Sequence, residues 1–273
     1  MTDRRTLVCR TIVCRTTVCR TTVCRTMVCR TMVCRRTWIA VLMLCSSVTG
    51  LFAQDATVRV RVEVEGAAKP THGSLSLPTT VVWLAPMAGT PAGGAPVAAS
   101  APVRLTQKNK KFDPHVLVVP AGAAVEFPNR DPFFHNVFSL FEGKRFDLGL
   151  YEAGTSRVVH FDRPGISYIF CNIHPEMSGV VITLNTPFYS VVNGEGQIEL
   201  SHVPYGRYRL NSWSEGTGPE NTQPEGREIT IGESEPKPLV VRVPAINGQS
   251  LAHKNKYGRD YETPSPNNPV YHP

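Results

Sequence analysis

The chain has 273 residues, with 29 Lys and Arg against 22 Asp and Glu, enough for one large domain or several small ones. Its formal charge of +7 is concentrated in residues 1–53, which hold nine of the basic residues and one of the acidic ones. The 20 basic and 21 acidic residues that follow are nearly balanced, so they lack the electrostatic footprint of a nucleic-acid-binding protein.

Residues 6–35 repeat a five-residue unit: TLVCR, TIVCR, TTVCR, TTVCR, TMVCR, TMVCR. This period fits no solenoid unit of roughly 20–50 residues. An arginine at every fifth position also denies the segment a continuous apolar helix face. The evenly spaced cysteines could bind metal, but they lack the C-x2-C pairs of a zinc site. The repeat reads more simply as a tandem expansion in the coding DNA, with translation starting at Met27 or Met32. From Met32 the chain runs through Arg35-Arg36, an apolar stretch Trp38–Phe52 and Ala53-Gln54, the proportions of a signal peptide. Two variants remain open, a twin-arginine signal at Arg35-Arg36 and a lipoprotein box ending at Cys45. No later apolar stretch approaches the ~20 residues of a membrane span. The expectation is a leader over 1–53, no stable membrane span after its removal, and a periplasmic or secreted mature chain. Cys9, Cys14, Cys19, Cys24, Cys29, Cys34 and Cys45 leave with the leader, and Cys171 alone remains, without a partner for an internal disulfide.

After the leader, Val58, Val60, Val62 and Val64 alternate with Arg59, Arg61, Glu63 and Glu65, the pattern of a half-buried strand. Thr79–Leu84 reads as a more deeply buried strand, and residues 54–87 together supply a first group of strands. Residues 88–103 are rich in Ala, Gly and Pro and form a linker by composition. Residues 104–184 then make one unit: strands at 116–119, 124–127 and 135–140, a charged loop around 142–150, and strands at 157–161, 167–170 and 179–184, the last with an alternating pattern. Turns fall at Pro120-Ala121-Gly122, Pro128-Asn129-Arg130-Asp131 and Arg163-Pro164-Gly165. Pro and Gly interrupt every long segment, so no amphipathic helix is expected and the class is all-β.

Residues 186–243 form a second unit, with a strand over 188–192, a turn at Asn193-Gly194-Glu195-Gly196 and a return strand over 197–200. Residues 247–273 are polar and rich in Pro and Asn, a tail without a core of its own.

The chemistry concentrates in Phe170-Cys171-Asn172-Ile173-His174-Pro175-Glu176-Met177, a C-x2-H-x2-M loop, with His135-Asn136 upstream. A thiolate, two imidazoles and a distant thioether form the donor set of a mononuclear blue-copper site. Cys171 at the entrance of a tight loop, His174 and Met177 within it, and His135 arriving 36 residues earlier from a neighbouring strand end would converge on one copper ion. Pro175 would stiffen the loop. His160 and His202 should face solvent, and His72, His115, His253 and His272 have no partner at ligand spacing. Trp83 and Trp213 read as core or interface aromatics. Phe133 and Phe134 could line an apolar patch beside His135 or belong to the core.

The run AGAAVEFPNRD, the HNV triplet at 135–137, and C-x2-H-P-x-M followed by a glycine and an apolar strand resemble the cupredoxin family. The likeness is to the amicyanin and plastocyanin kind, among exported proteins similar to methylamine utilization proteins, and it covers residues 104–184. It implies a Greek-key β-sandwich holding one type 1 copper ion through His135, Cys171, His174 and Met177. It further implies that Asn136 bridges the two ligand loops with hydrogen bonds around the ligands. The run Val203-Pro204-Tyr205-Gly206-Arg207-Tyr208-Arg209-Leu210 resembles an element of carboxypeptidase-regulatory-like, transthyretin-like sandwiches. In that family two strands precede this hairpin; here those would be 57–65 and 79–84, on the far side of the copper unit. Either the copper unit is inserted in a discontinuous second sandwich, or residues 57–84 are its own first strands.

Three functions compete. The first is an electron-transfer module serving a redox protein whose identity the resemblance does not supply, with His174 near the surface. The second, a copper enzyme with a second metal centre, lacks support: Phe170 and Asn172 flank Cys171, no His-x-His pair occurs, and the chain is expected not to be an enzyme. The third is a non-redox copper carrier or an adhesion or binding module of the cell envelope. An open, Met-rich site would suit a carrier, but after the leader only Met87 and Met177 remain.

The Arg35-Arg36, apolar and Ala53 sequence makes a direct prediction. N-terminal sequencing of exported protein should begin near Gln54, and a mature chain that retains the VCR repeats would overturn both the leader and the single-cysteine reading.

Overall fold

A computed structural model describes residues 54–65, 77–91, 101–141, 143–192, 196–217, 225–233, 238–245 and 253–261. The repeat, the apolar leader, most of the linker, the tip of the Asn193 turn, His72 and His272 lie outside the described residues. The strands are β1 Asp55–Val64, β2 Thr80–Pro86, β3 Val103–Arg104, β4 Thr106–Lys108, β5 Lys111–Asp113, β6 Val116–Pro120, β7 Ala123–Pro128, β8 His135–Ser139 and β9 Phe146–Tyr151. They continue with β10 Ser156–Phe161, β11 Gly165–Phe170, β12 Ser178–Leu184, β13 Tyr189–Val192, β14 Gln197–Pro204, β15 Gly206–Ser214, β16 Glu225–Ile231 and β17 Leu239–Val243. Apart from one 3-10 turn at Glu215–Thr217, the elements among the described residues are strands, and the protein is all-β.

Four main sheets carry three layers of side chains between them. A five-stranded sheet, β6-β12-β11-β8-β9, faces a three-stranded sheet, β10-β7-β3. Between them lie Leu117, Val119, Val137, Ile169 and Val181 from the first sheet and Val125, Phe127, Val159 and Phe161 from the second. A second sandwich pairs β14-β1-β17 with β13-β2-β15-β16, and encloses Val58, Val60, Val62, Val82, Leu84, Tyr208 and Leu210. β1 bonds antiparallel to β14 and parallel to β17, while β2 lies between β13 and β15. Both strands therefore take their partners from residues after 188, across the intervening unit.

The third layer lies between the two sandwiches. Val81, Trp83 and Trp213 pack against Phe138, Ile166, Tyr168, Phe170, Val180 and Ile182. The Trp213 indole Nε1–H donates to the Tyr168 hydroxyl at 2.9 Å. Strands with both faces covered read as continuous apolar runs, whereas strands with one wet face alternate. β1 alternates between buried valines and exposed charges, while every residue of β12 after Ser178 is buried. The expectation that residues 179–184 alternate is thus corrected, because the second sandwich covers their outer face.

Two further expectations change. The charged stretch around 142–150 contains β9, which pairs with β8 from His135↔Tyr151 to Ser139↔Phe146. Its pattern is hidden by Gly149, which has a φ of 67°, and by the shift in register between Asn136 and Phe138. Of the polar tail, the described residues 253–261 lie against the Cys171 turn: Tyr261 Oη donates to the Cys171 carbonyl at 2.7 Å. Its polar composition hid this docking, since the contacts are isolated hydrogen bonds, one ion pair and one stacked ring rather than an apolar stripe.

The shared layer yields a stability prediction. Trp213→Ala should cost about 3–5 kcal/mol, the usual range for truncating a large buried aromatic, and leave the Tyr168 hydroxyl without its indole donor. Urea denaturation of the full chain measures this; a loss below ~1 kcal/mol would show that the layer contributes little.

Candidate metal centre

β11 and β12 are antiparallel neighbours, and their connection is the Cys171–Met177 loop. The last pair before the loop is Phe170↔Ser178. The Cys171 amide donates to the Met177 carbonyl, and the Met177 amide donates to the His174 carbonyl, both at 3.1 Å. These bonds fold C-x2-H-x2-M into a closed turn with Pro175 exposed at its outer side. β8 lies on the other side of β11 and begins with His135, so the second imidazole arrives from the adjacent strand.

The three donors meet. Cys171 Sγ lies 3.7 Å from His135 Nδ1 and 3.5 Å from His174 Nδ1. The ligand atoms of His135, Cys171 and His174 all lie within 4.8 Å of one another. A single ion bound at ordinary thiolate and imidazole distances, about 2.0–2.3 Å, with tetrahedral angles sets N···S separations of roughly 3.5 Å. Cys171 and His135 are wholly buried, and His174 is 9% exposed. Met177 is buried in the same apolar cluster as Cys171. Phe133 packs edge-on against His135 and tilted against His174, while Phe134 is half exposed.

A residue that sequence reasoning did not single out orients the first imidazole. Asp131 Oδ2 lies 2.8 Å from His135 Nε2. With the ring proton on Nε2 donated to this carboxylate, Nδ1 is left as the free lone pair facing Cys171, an arrangement that recurs behind metal-binding histidines. Asp131 is itself held by the backbone amides of Asn109 and Lys110, at 2.6 and 3.0 Å. Burial pushes its carboxyl up, but the Lys110 amide, the His135 ring and the Asn109 amide outweigh this and hold it below the usual range. The signal in the sequence was an acidic residue four positions before His135, indistinguishable there from an ordinary turn aspartate.

The site is poised to receive a cation. Burial pulls the His174 imidazole down to about 4, with His135 and Lys110 adding to the effect, and burial likewise lowers His135. Both rings are therefore neutral, with nitrogen lone pairs available. Burial raises the Cys171 thiol, opposed in part by the amides of Asn136, Ile173 and His174. A metal would have to displace the thiol proton, which couples binding to proton release.

Asn136 reaches the Cys171 segment through its backbone rather than its side chain. Its side-chain Nδ2 donates to Asp147 Oδ1 on β9 at 2.7 Å, and its backbone amide faces the Cys171 sulfur. The side chain adds an indirect link to the Cys171 loop: Asp147 Oδ2 accepts from Lys256 Nζ at 2.6 Å, and the Lys256 amide donates to Asn172 Oδ1 at 2.9 Å. His160 and His202 are exposed, and His115 pairs with Glu215 at 3.5 Å. His253, without a partner at ligand spacing in the sequence, is stacked on Phe170 with ring centroids 3.9 Å apart.

No protein-family model matches the chain, and no curated protein matches it. Among solved structures, the chain is similar to a copper-containing nitrite reductase from Thermus scotoductus SA-01, with 28% identity and a TM-score of 0.30 over 35% of this chain. The chain spans 26% of that protein's length. It is also similar to a purple cupredoxin from Nitrosopumilus maritimus (24% identity, TM-score 0.28, 31% of this chain and 99% of that one). A third similar structure is the reduced state of an amicyanin mutant (22% identity, TM-score 0.29, 35% of this chain and 96% of that one).

The Asp131 cluster predicts a loss of stability that needs no metal. Asp131→Ala leaves two backbone amides and the His135 ring proton without their acceptor, at about 1–3 kcal/mol for a buried unsatisfied group. Urea denaturation of metal-free protein should show it, and an unchanged midpoint would mean that the carboxylate holds neither the Asn109 turn nor the ring.

Proposed function

We propose that this protein is an exported copper-binding protein that acts as an electron-transfer module, with one type 1 copper ion held by His135, Cys171 and His174 and tuned by Met177. The observation that carries this reading is the convergence of one sulfur and two imidazole nitrogens within 4.8 Å, enclosed by an apolar core. The donor set fits copper: imidazole serves both oxidation states, thiolate favours the reduced one, and a weak thioether sets the balance. When bound, copper would supply reversible one-electron chemistry.

The chain's own residues do the rest. Asp131 fixes the tautomer of His135, the amides of Asn136, Ile173 and His174 surround the sulfur, and Phe133 packs against both rings. A site held by strands and by these bonds need not rearrange as the charge on the metal changes, which suits electron transfer more than catalysis. Only His174 keeps some exposure among the three close donors, so it is the natural exit for an electron toward a partner redox protein. The same burial weighs against a carrier, which must hand over the ion itself. No enzymatic activity is proposed, and the mature protein is assigned to the periplasm or the exterior. The second sandwich, similar in its VPYGRYRL run to carboxypeptidase-regulatory-like domains, is assigned a supporting role through the layer it shares with β11 and β12.

Loading with Cu(II) should give an intense visible band from thiolate-to-copper charge transfer. Cys171→Ser should abolish it while the fold persists, since no disulfide is lost. Met177→Leu should keep copper and colour and raise the reduction potential, because a weak donor to Cu(II) is removed. His135→Ala should open the site to added imidazole. Stoichiometric loading without a visible band would sink the type 1 reading, and a colourless protein that binds Cu(I) would favour the carrier.

A further inference from the structure

We propose that the C-terminal segment 253–261 is a working part of the metal centre, a clamp in which Tyr261 and Lys256 position the Cys171 turn. This deepens the copper reading and rests on it for the role of Cys171 as a ligand.

Three successive residues, from the end of β11 into the turn, each receive one contact from the segment. His253 stacks on the Phe170 ring, with an interplanar angle of 20°. Tyr261 donates its hydroxyl proton to the Cys171 carbonyl at 2.7 Å. The Lys256 amide donates to Asn172 Oδ1 at 2.9 Å. These contacts answer a bonding need of the turn. The Cys171 amide is already committed to the Met177 carbonyl, whereas the carbonyl of this buried residue needs a donor of its own. Tyr261 supplies that donor, and its oxygen lies 3.1 Å from His253 Nδ1, which fixes the hydroxyl in turn.

The clamp also reaches the strand that carries the other imidazole. The Lys256 ammonium lies 2.6 Å from Asp147 Oδ2, and Asp147 Oδ1 accepts from Asn136 Nδ2, next to His135. One short segment thus ties the Cys171 turn to the β8–β9 pair, the link that the Asn136 side chain does not make itself. Fixing the Cys171 peptide plane at its carbonyl fixes the direction of the Cα–Cβ bond and so the position of the sulfur. Tyr261 and Lys256 are positioning residues, since neither is among the three donors that converge on the site.

The test reads the thiol of metal-free, full-length mature protein with an aromatic disulfide reagent, so it does not depend on copper. Losing one hydrogen bond of ordinary net strength should raise the population of the opened turn roughly 2- to 12-fold. Tyr261→Phe and Lys256→Met should each accelerate the reaction of Cys171 by about that factor. Lys256→Arg, which keeps a cation for Asp147, should restore the slow rate, and Arg259→Gln, at an exposed neighbour, should leave it unchanged. With copper loaded, Tyr261→Phe should shift the charge-transfer band and the reduction potential. Wild-type thiol rates in both variants overturn the proposal. So does an acceleration that merely tracks loss of global stability in urea, because a clamp acts on the turn before the fold is lost. Wild-type protein that takes up copper without colour defeats the copper reading separately, while the thiol rates still decide the clamp.

Discussion

β11 feeds two cores at once, and the candidate metal centre depends on that constraint. Ile169 points into the layer shared with β7 and β10, while Ile166, Tyr168 and Phe170 point into the layer shared with the second sandwich. A slip of one residue would exchange the two sets, moving aromatics that fit one side into the space of the other. The register of Cys171, one residue beyond the strand, is therefore fixed from both faces. A sulfur attached to such a strand can serve as a ligand without being placed by the metal itself.

The polar groups around this sulfur follow from the same burial. Where water is excluded, an imidazole remains neutral and each ring proton, amide and carbonyl needs a partner in the protein. His135 finds Asp131, Asp131 finds the Asn109 and Lys110 amides, and the Cys171 carbonyl finds Tyr261. These partners come from a turn before β8, a turn after β4 and a segment after β17. Chain distance is irrelevant to them; a dry site recruits whichever donor or acceptor the packed sheets bring near.

Much of this was legible before folding is considered. The strands at 116–119, 124–127, 157–161 and 167–170 follow from alternation and from the turns that bound them, and the C-x2-H-x2-M spacing names its own donors. β9 was hidden because Gly149 and the surrounding charges break its pattern, and β3, β4 and β5 are too short to have a period at all. Asp131 was hidden because a carboxylate four residues before a histidine has many ordinary uses in a turn. His253, Lys256 and Tyr261 sit in a polar stretch whose composition gives no reason to expect contact with a buried turn.

The sequence by itself determined the all-β class, the half-buried character of β1 and the identity of the thiol and imidazoles that the fold brings together. These depend on residue type and on spacings of a few positions, which the local chain geometry converts directly into faces and turns. Only the tertiary structure decided that β1 and β2 pair with strands beyond residue 188, that β12 is covered on both faces, and that the Asn136 side chain reaches the Cys171 turn through Asp147 and Lys256. Those outcomes turn on which surfaces remain to be covered once the sheets have formed. That is a property of the assembled layers, and no short window of sequence contains it.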